Sequence, residues 1–125
     1  MKFSLRTNDS FLFKDVPDEP NRLVLVDISE TSVTIQWITG ASGGYEQMFY
    51  VEYKVTGNNQ WTRIQIPVQE VIAKQETRLS YRLVDLLPGN VYEIRLSSSS
   101  NQLGDSKPTD GIVFMTGSII SFFKY

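Results

Sequence analysis

The 125-residue sequence predicts an all-β fold, a seven-stranded antiparallel sandwich of two sheets. Three observations carry that expectation. Apolar residues recur with a period of two rather than 3.6. Turn-forming residues interrupt those runs at short intervals. The length suits one ordinary domain and leaves no room for two sizeable cores.

The strands are taken in chain order. Pro17 and Pro20 precede a first run, Leu23 to Val26. In Thr31–Trp37, Val33, Ile35 and Trp37 fall on one face, and Thr34 and Gln36 on the other. Phe49–Lys54 repeats the pattern, with Phe49, Val51 and Tyr53 inward and Glu52 and Lys54 outward. Tyr92–Ser97 does so again and turns Glu93, Arg95 and Ser97 outward. Successive side chains on a strand point to opposite faces, so alternation of this kind marks half-buried antiparallel strands. Trp61–Ile66, Tyr81–Leu86 and Ile112–Thr116 complete the seven. Gly40 to Gly44, Gly57-Asn58-Asn59, Pro88-Gly89-Asn90 and Gly104 to Gly111 supply the turns, because these residue types tolerate or preset the φ values that turns need. One segment, Pro67–Leu79, stays open: Val68–Lys74 reads equally as strand or as one or two helical turns.

Composition narrows the chemistry. Hydrophobic residues at 41% and charged residues at 21% describe a globular chain rather than a disordered one. Twelve Lys and Arg against 14 Asp and Glu give a formal charge of −2, without the cationic excess that a nucleic-acid surface needs. The chain holds neither histidine nor cysteine, which removes Ser-His-Asp and Cys-His catalysis, thiolate zinc sites and any disulfide. No run approaches the roughly 18 to 20 apolar residues of a membrane-spanning helix, and Met1–Phe13 lacks a signal-peptide core. The reading is a cytosolic protein or a piece of a longer one, and the ragged ends favour a piece.

The runs together resemble a fibronectin type III domain from Pro17 to about Thr116. The Pro-rich entry Pro17-Asp18-Glu19-Pro20 with Leu23-Val24-Leu25 looks like the family's first strand. Ser32–Trp37 is similar to the second, whose Trp fills the core, and Phe49–Lys54 to the third. Leu86-Leu87-Pro88-Gly89-Asn90-Val91-Tyr92 matches the family's tyrosine corner, and Asn101-Gln102-Leu103-Gly104-Asp105-Ser106 its turn between the last two strands. The resemblance implies an immunoglobulin-like sandwich without the disulfide. It also implies a noncatalytic module, a spacer or protein-contact domain of a larger cell-surface receptor or adhesion protein, located outside the cell. The alternatives are an intracellular scaffold module or an accessory domain of a secreted enzyme. No catalytic, cofactor or metal site is expected. The implied partners are another protein or neighbouring domains of the same chain, with no nucleic acid and no small-molecule substrate.

Residues 1–16 and 117–125 are then extensions on a domain spanning 17–116. Between Trp61 and Leu86 the chain runs about ten residues longer than a compact member, with the excess around Pro67–Leu79. That excess is either a plain hairpin extension or a partner contact through Val71 and Ile72. Phe11-Leu12-Phe13 and Ile119–Tyr125, with Phe122 and Phe123, have no slot in a finished sandwich. They are either parts of adjoining segments or extra edge strands, in cis or between two molecules, which would allow self-association. Asn8-Asp9-Ser10 is an acceptor sequence for N-glycosylation. Leu103-Gly104-Asp105-Ser106 stands where some family members carry an integrin-binding Arg-Gly-Asp-Ser loop, but Leu103 lacks the cation, so a plain turn is the expectation. Trp61 and Tyr50 are expected as surface aromatics on one sheet, covering it and each other, and Glu52, Lys54, Glu93 and Arg95 as charge pairs beside them.

Overall fold

The computed structural model describes residues 16–39, 47–67, 72–73 (backbone) and 78–118. Among the described residues, nine strand segments follow in order: β1 (Asn21–Val26), β2 (Val33–Ile38), β3 (Met48–Val55), β4 (Thr62–Gln65), β5 (Ile72–Ala73), β6 (Arg78–Leu83), β7 (Val91–Ser100), β8 (Gly104–Asp105) and β9 (Ile112–Met115). One sheet runs β1-β2-β6-β5 and the other β9-β7-β3-β4, with β8 also on β7. Every pairing is antiparallel.

The seven expected strands correspond to β1, β2, β3, β4, β6, β7 and β9; β5 and β8 are two further short segments, and β8 and β9 form one interrupted strand. Both pair with β7: Asp105 faces Ser99, and Ile112 faces Ile94. Six residues, Ser106–Gly111, therefore face only four, Arg95–Ser98. Such an excess must bow out of the ladder. The bow stays anchored, because the backbone N–H of Thr109 donates to the carbonyl of Leu96 (2.8 Å) and that of Ser106 to the carbonyl of Ser98 (2.8 Å).

Two expectations on boundaries are corrected. The strand expected at Tyr81–Leu86 lies at Arg78–Leu83, where Leu79, Tyr81 and Leu83 alternate inward and Leu79 pairs with Trp37. It stops there because Asp85 adopts φ 65°, in the left-handed region, and Leu86 reaches the core from the loop instead. The long segment between β4 and β6 thus ends at Thr77, not at Leu79. Within it, β5 pairs with β6, Ile72 opposite Ser80 and Ala73 opposite Leu79, which makes this part of the segment a hairpin. β1 carries a second irregularity: its register on β2 shifts between Asn21 and Val24, where Arg22 adopts φ 53°.

The core lies between the sheets. Val33, Ile35, Trp37, Tyr81 and Leu83 from one sheet meet Phe49, Val51, Tyr92, Ile94, Leu96 and Phe114 from the other. Trp37 is fully buried, its ring tilted 60° against Phe49 at 5.2 Å. Tyr92 stacks on Phe114 at 5.7 Å and meets the edge of Tyr53 at 6.1 Å. The Tyr92 hydroxyl accepts a hydrogen bond from the N–H of Leu87 (2.8 Å), which forms the corner that the sequence implied. Thr116, fully buried, closes the same corner. Its Oγ1 donates to the carbonyl of Leu87 (2.7 Å) and accepts from the N–H of Asn90 (3.0 Å).

β7 remains a strand through four successive serines, all buried. Buried hydroxyls need partners, and three of them have one. Ser98 donates to the carbonyl of Asp18 (2.6 Å), Ser99 donates to the Asp105 carboxylate (2.6 Å), and Ser100 accepts the N–H groups of Gln102 and Leu103 (3.1 Å each). Ser98 thereby ties the entering chain to β7, and Ser100 caps the turn that follows it.

Candidate interaction surfaces

The outward side chains of β3, β4 and β7 share one face of the second sheet. Alternation dictates this: Tyr50, Glu52 and Lys54 on β3 stand beside Arg63 and Gln65 on β4 and Glu93 and Arg95 on β7. Glu52 sits at the centre and accepts from Arg95 Nε (2.7 Å) and Arg63 Nη1 (3.4 Å). Arg63 reaches on to Asp105 (2.8 Å) while its guanidinium lies over the ring of Tyr50, 4.0 Å from the centroid. The ring of Trp61 takes the Arg95 guanidinium at 3.9 Å and the Lys54 ammonium at 4.9 Å.

Tyr50 and Trp61 are thus surface aromatics on one sheet, as expected, but each packs against a cation rather than against the other. The expected charge pairing holds for Glu52 with Arg95. Lys54 instead donates to the carbonyl of Asn58 (3.0 Å). Glu93 packs against Gly111, in the space that a Cβ there would need. The links made by Arg63 and Lys54 are exposed and contribute on the order of 0–1 kcal/mol each, whereas the Glu52–Arg95 pair is partly buried. What they do is hold a mixed face of both signs in one arrangement.

The turn at Leu103–Ser106 is occupied by its own structure. Asp105 Oδ1 accepts from Ser99 and Oδ2 from Arg63, so both carboxylate oxygens are engaged inside the domain. Gly104 sits at φ 91°, which is the reason this turn needs glycine. Among the described residues, no three acidic side chains are grouped so as to hold a metal ion. A groove of about 360 Å³ opens between the start of β1 and the loop before β9, with Glu19, Arg22, Thr109 and Asp110 in its wall. Its charges are again mixed.

One ionisable group on the inner side responds to its surroundings. The Tyr53 phenol is pushed above the ordinary tyrosine value by burial first, and then by Tyr92 and the charge of Asp85. The folded state therefore holds this proton more tightly than the unfolded chain does. The associated stability is present below about pH 10 and is lost as pH rises through the folded value. We expect the urea midpoint to fall above about pH 10, and Tyr53→Phe to lose part of that fall. An identical alkaline profile in the variant would exclude this coupling.

Of the candidate contact residues, Ile72 lies in β5 at the edge of the first sheet, where only its backbone is described. Val71, Phe122, Phe123 and the acceptor Asn8 lie outside the described residues. The cation–aromatic face was only half legible. Its aromatic positions follow from alternation, but the Arg63–Asp105 bridge joins residues 42 apart and depends on the fold.

An antiparallel two-sheet sandwich with a tyrosine corner, a Trp-centred core and a balanced polar face defines a β-sandwich module of the immunoglobulin-like kind. The sequence profile of the fibronectin type III domain matches residues 18–114, and the chain belongs to that family. It is 31% identical over 105 residues to the mouse (Mus musculus) cell adhesion molecule-related/down-regulated by oncogenes protein, covering 83% of this chain and 8% of that one. It is 34% identical over 104 residues to nephrin from Rattus norvegicus, again 83% of this chain and 8% of the relative. Among solved structures, titin domains A168–A170 superpose with a TM-score of 0.62 at 30% identity, covering 83% of this chain and 33% of that one. The chain spans under a tenth of the length of the two curated relatives, and it is a module similar to those of cell adhesion molecules and receptors.

Proposed function

We propose that the domain is a noncatalytic contact or spacer module of a larger cell-surface receptor or adhesion protein, working outside the cell. One observation carries this reading: a complete sandwich matches a small fraction of much longer adhesion proteins across most of its own length. The chemistry of its faces supports it. The outward carboxylates Glu52 and Asp105 are held by arginines, and the chain has no histidine or cysteine to act as base or nucleophile.

The contact is assigned to the segment between β4 and β6, with Val71 and Ile72 as its apolar members. It is the departure from a compact member that falls inside the sandwich, and β5 lies at a sheet edge. Replacing residues 68–77 by a short turn is expected to leave cooperative unfolding intact, because β6 keeps its full pairing with β2. The same replacement is expected to abolish retention of cells on a surface coated with the domain. Undiminished retention would move the contact elsewhere, and turnover by the isolated domain would overturn the noncatalytic reading.

A second reading, an intracellular scaffold module, is favoured by the 30% identity to titin domains. The state of Asn8 in native material separates the two. A glycan there sets the domain outside the cell, and an unmodified Asn8 favours the scaffold.

A further inference from the structure

The end of the sandwich from which the chain leaves β9 is built as one plate. The N–H of Gly117 donates to the carbonyl of Ser29 (3.0 Å), that of Gly89 to Gly117 (2.8 Å) and that of Leu86 to Thr31 (2.9 Å). These bonds join the turn after β1, the turn before β7 and the departing chain. Large apolar side chains are exposed around this plate: Ile28 at 45%, Val84 at 44%, Leu87 at 61% and Met115 at 60%. At the opposite end, residues 16–20 and 101–111 expose one large hydrophobic residue, Val16. Leu87 is notable because its N–H and carbonyl are both fixed by buried side chains while its own side chain faces solvent. The fold therefore presents this leucine in one position.

We propose that this apolar end seats residues 119–125 of the same chain. Three observations select that occupant. The described chain ends on the plate itself, with Ser118 packed beside Gly89, two residues from Leu87. The following sequence, Ile119-Ile120-Ser121-Phe122-Phe123-Lys124-Tyr125, carries five apolar or aromatic side chains in seven residues. Seven extended residues reach about 23 Å, enough to cross the end of a domain this size. A segment tethered at the plate also holds an effective concentration on the order of millimolar there, well above that of a second molecule in dilute solution. The assignment is independent of the partner-contact reading, since it gives Phe122 and Phe123 an intramolecular role.

The test uses the full 125-residue chain with Thr31→Cys carrying a nitroxide, at an exposed position on the plate that leaves Leu87 in place. The amide signals of residues 119–125 are expected to broaden, and to broaden equally at high and low protein concentration. Absence of broadening overturns the proposal. Broadening that fades on dilution also overturns it and hands the end to the tail of a second copy. In parallel, Leu87→Asp is expected to speed chymotryptic cleavage after Phe122 and Phe123 about tenfold, with the melting temperature unchanged. Unchanged cleavage would sink the idea even if the spectra were ambiguous.

Discussion

Trp37→Ala is expected to leave no cooperative folding transition at ambient temperature. The side chain is fully buried near the end of β2, packed on Phe49, and the residue pairs in register with Leu79 of β6. Truncating a buried aromatic of this size costs about 3–5 kcal/mol, through lost transfer energy and the cavity left behind. Domains of this size are stable by only about 5–15 kcal/mol, and a module with a margin near the lower figure is left with almost none. Trp37→Phe is expected to be much milder for a specific reason. The indole Nε1 is buried without a hydrogen-bond partner among the described residues, so phenylalanine removes an unsatisfied donor along with some area. Urea denaturation followed by circular dichroism checks both variants. A midpoint for the alanine variant near wild type would place Trp37 outside the core.

Thr116→Val is expected to cost about 2–3 kcal/mol, more than a surface threonine by a wide margin. It is nearly isosteric, so the loss reports hydrogen bonding rather than packing. The change leaves the carbonyl of Leu87 and the N–H of Asn90 without their side-chain partner in a buried corner. Tyr92→Phe should cost less, about 1–2 kcal/mol, because it orphans only the N–H of Leu87. The two side chains grip opposite ends of one residue, so their effects should not add. A double-mutant cycle is expected to show coupling of about 0.5 kcal/mol or more. Simple additivity would mean that Leu87 is fixed by something other than this pair.

The corner also shows how far the sequence could be read. Leu86, Pro88, Gly89 and Tyr92 are local and spaced along one turn, so the motif was visible. Thr116 was not, because its partners lie 26 and 29 residues away and nothing local marks it. The strands β2 and β3 were legible from alternation, and so was β7 as far as Leu96; beyond it both faces are buried, so Ser97, expected outward, is buried instead. β6 was misplaced by three residues because Leu86, buried from a loop, mimics the end of a strand. β5 is too short to carry a period at all. On the outer face, charge pairing could be foreseen between neighbouring strands. The capture of Tyr50 and Trp61 by arginine depends on register, which only the assembled sheet defines.

The chain enters beside Ser98 and leaves beside Ser29, at opposite ends of the sandwich. β7, ten residues long, sets a separation of about 33 Å between those ends. Tension applied through the two termini therefore drags β1 lengthwise along β2, and β9 lengthwise along β7. The ladder bonds in each pair share such a load and must fail together, whereas a pull across the strands would peel them apart singly. Within a longer chain, the domain would transmit force with little stretch up to a threshold and then yield abruptly.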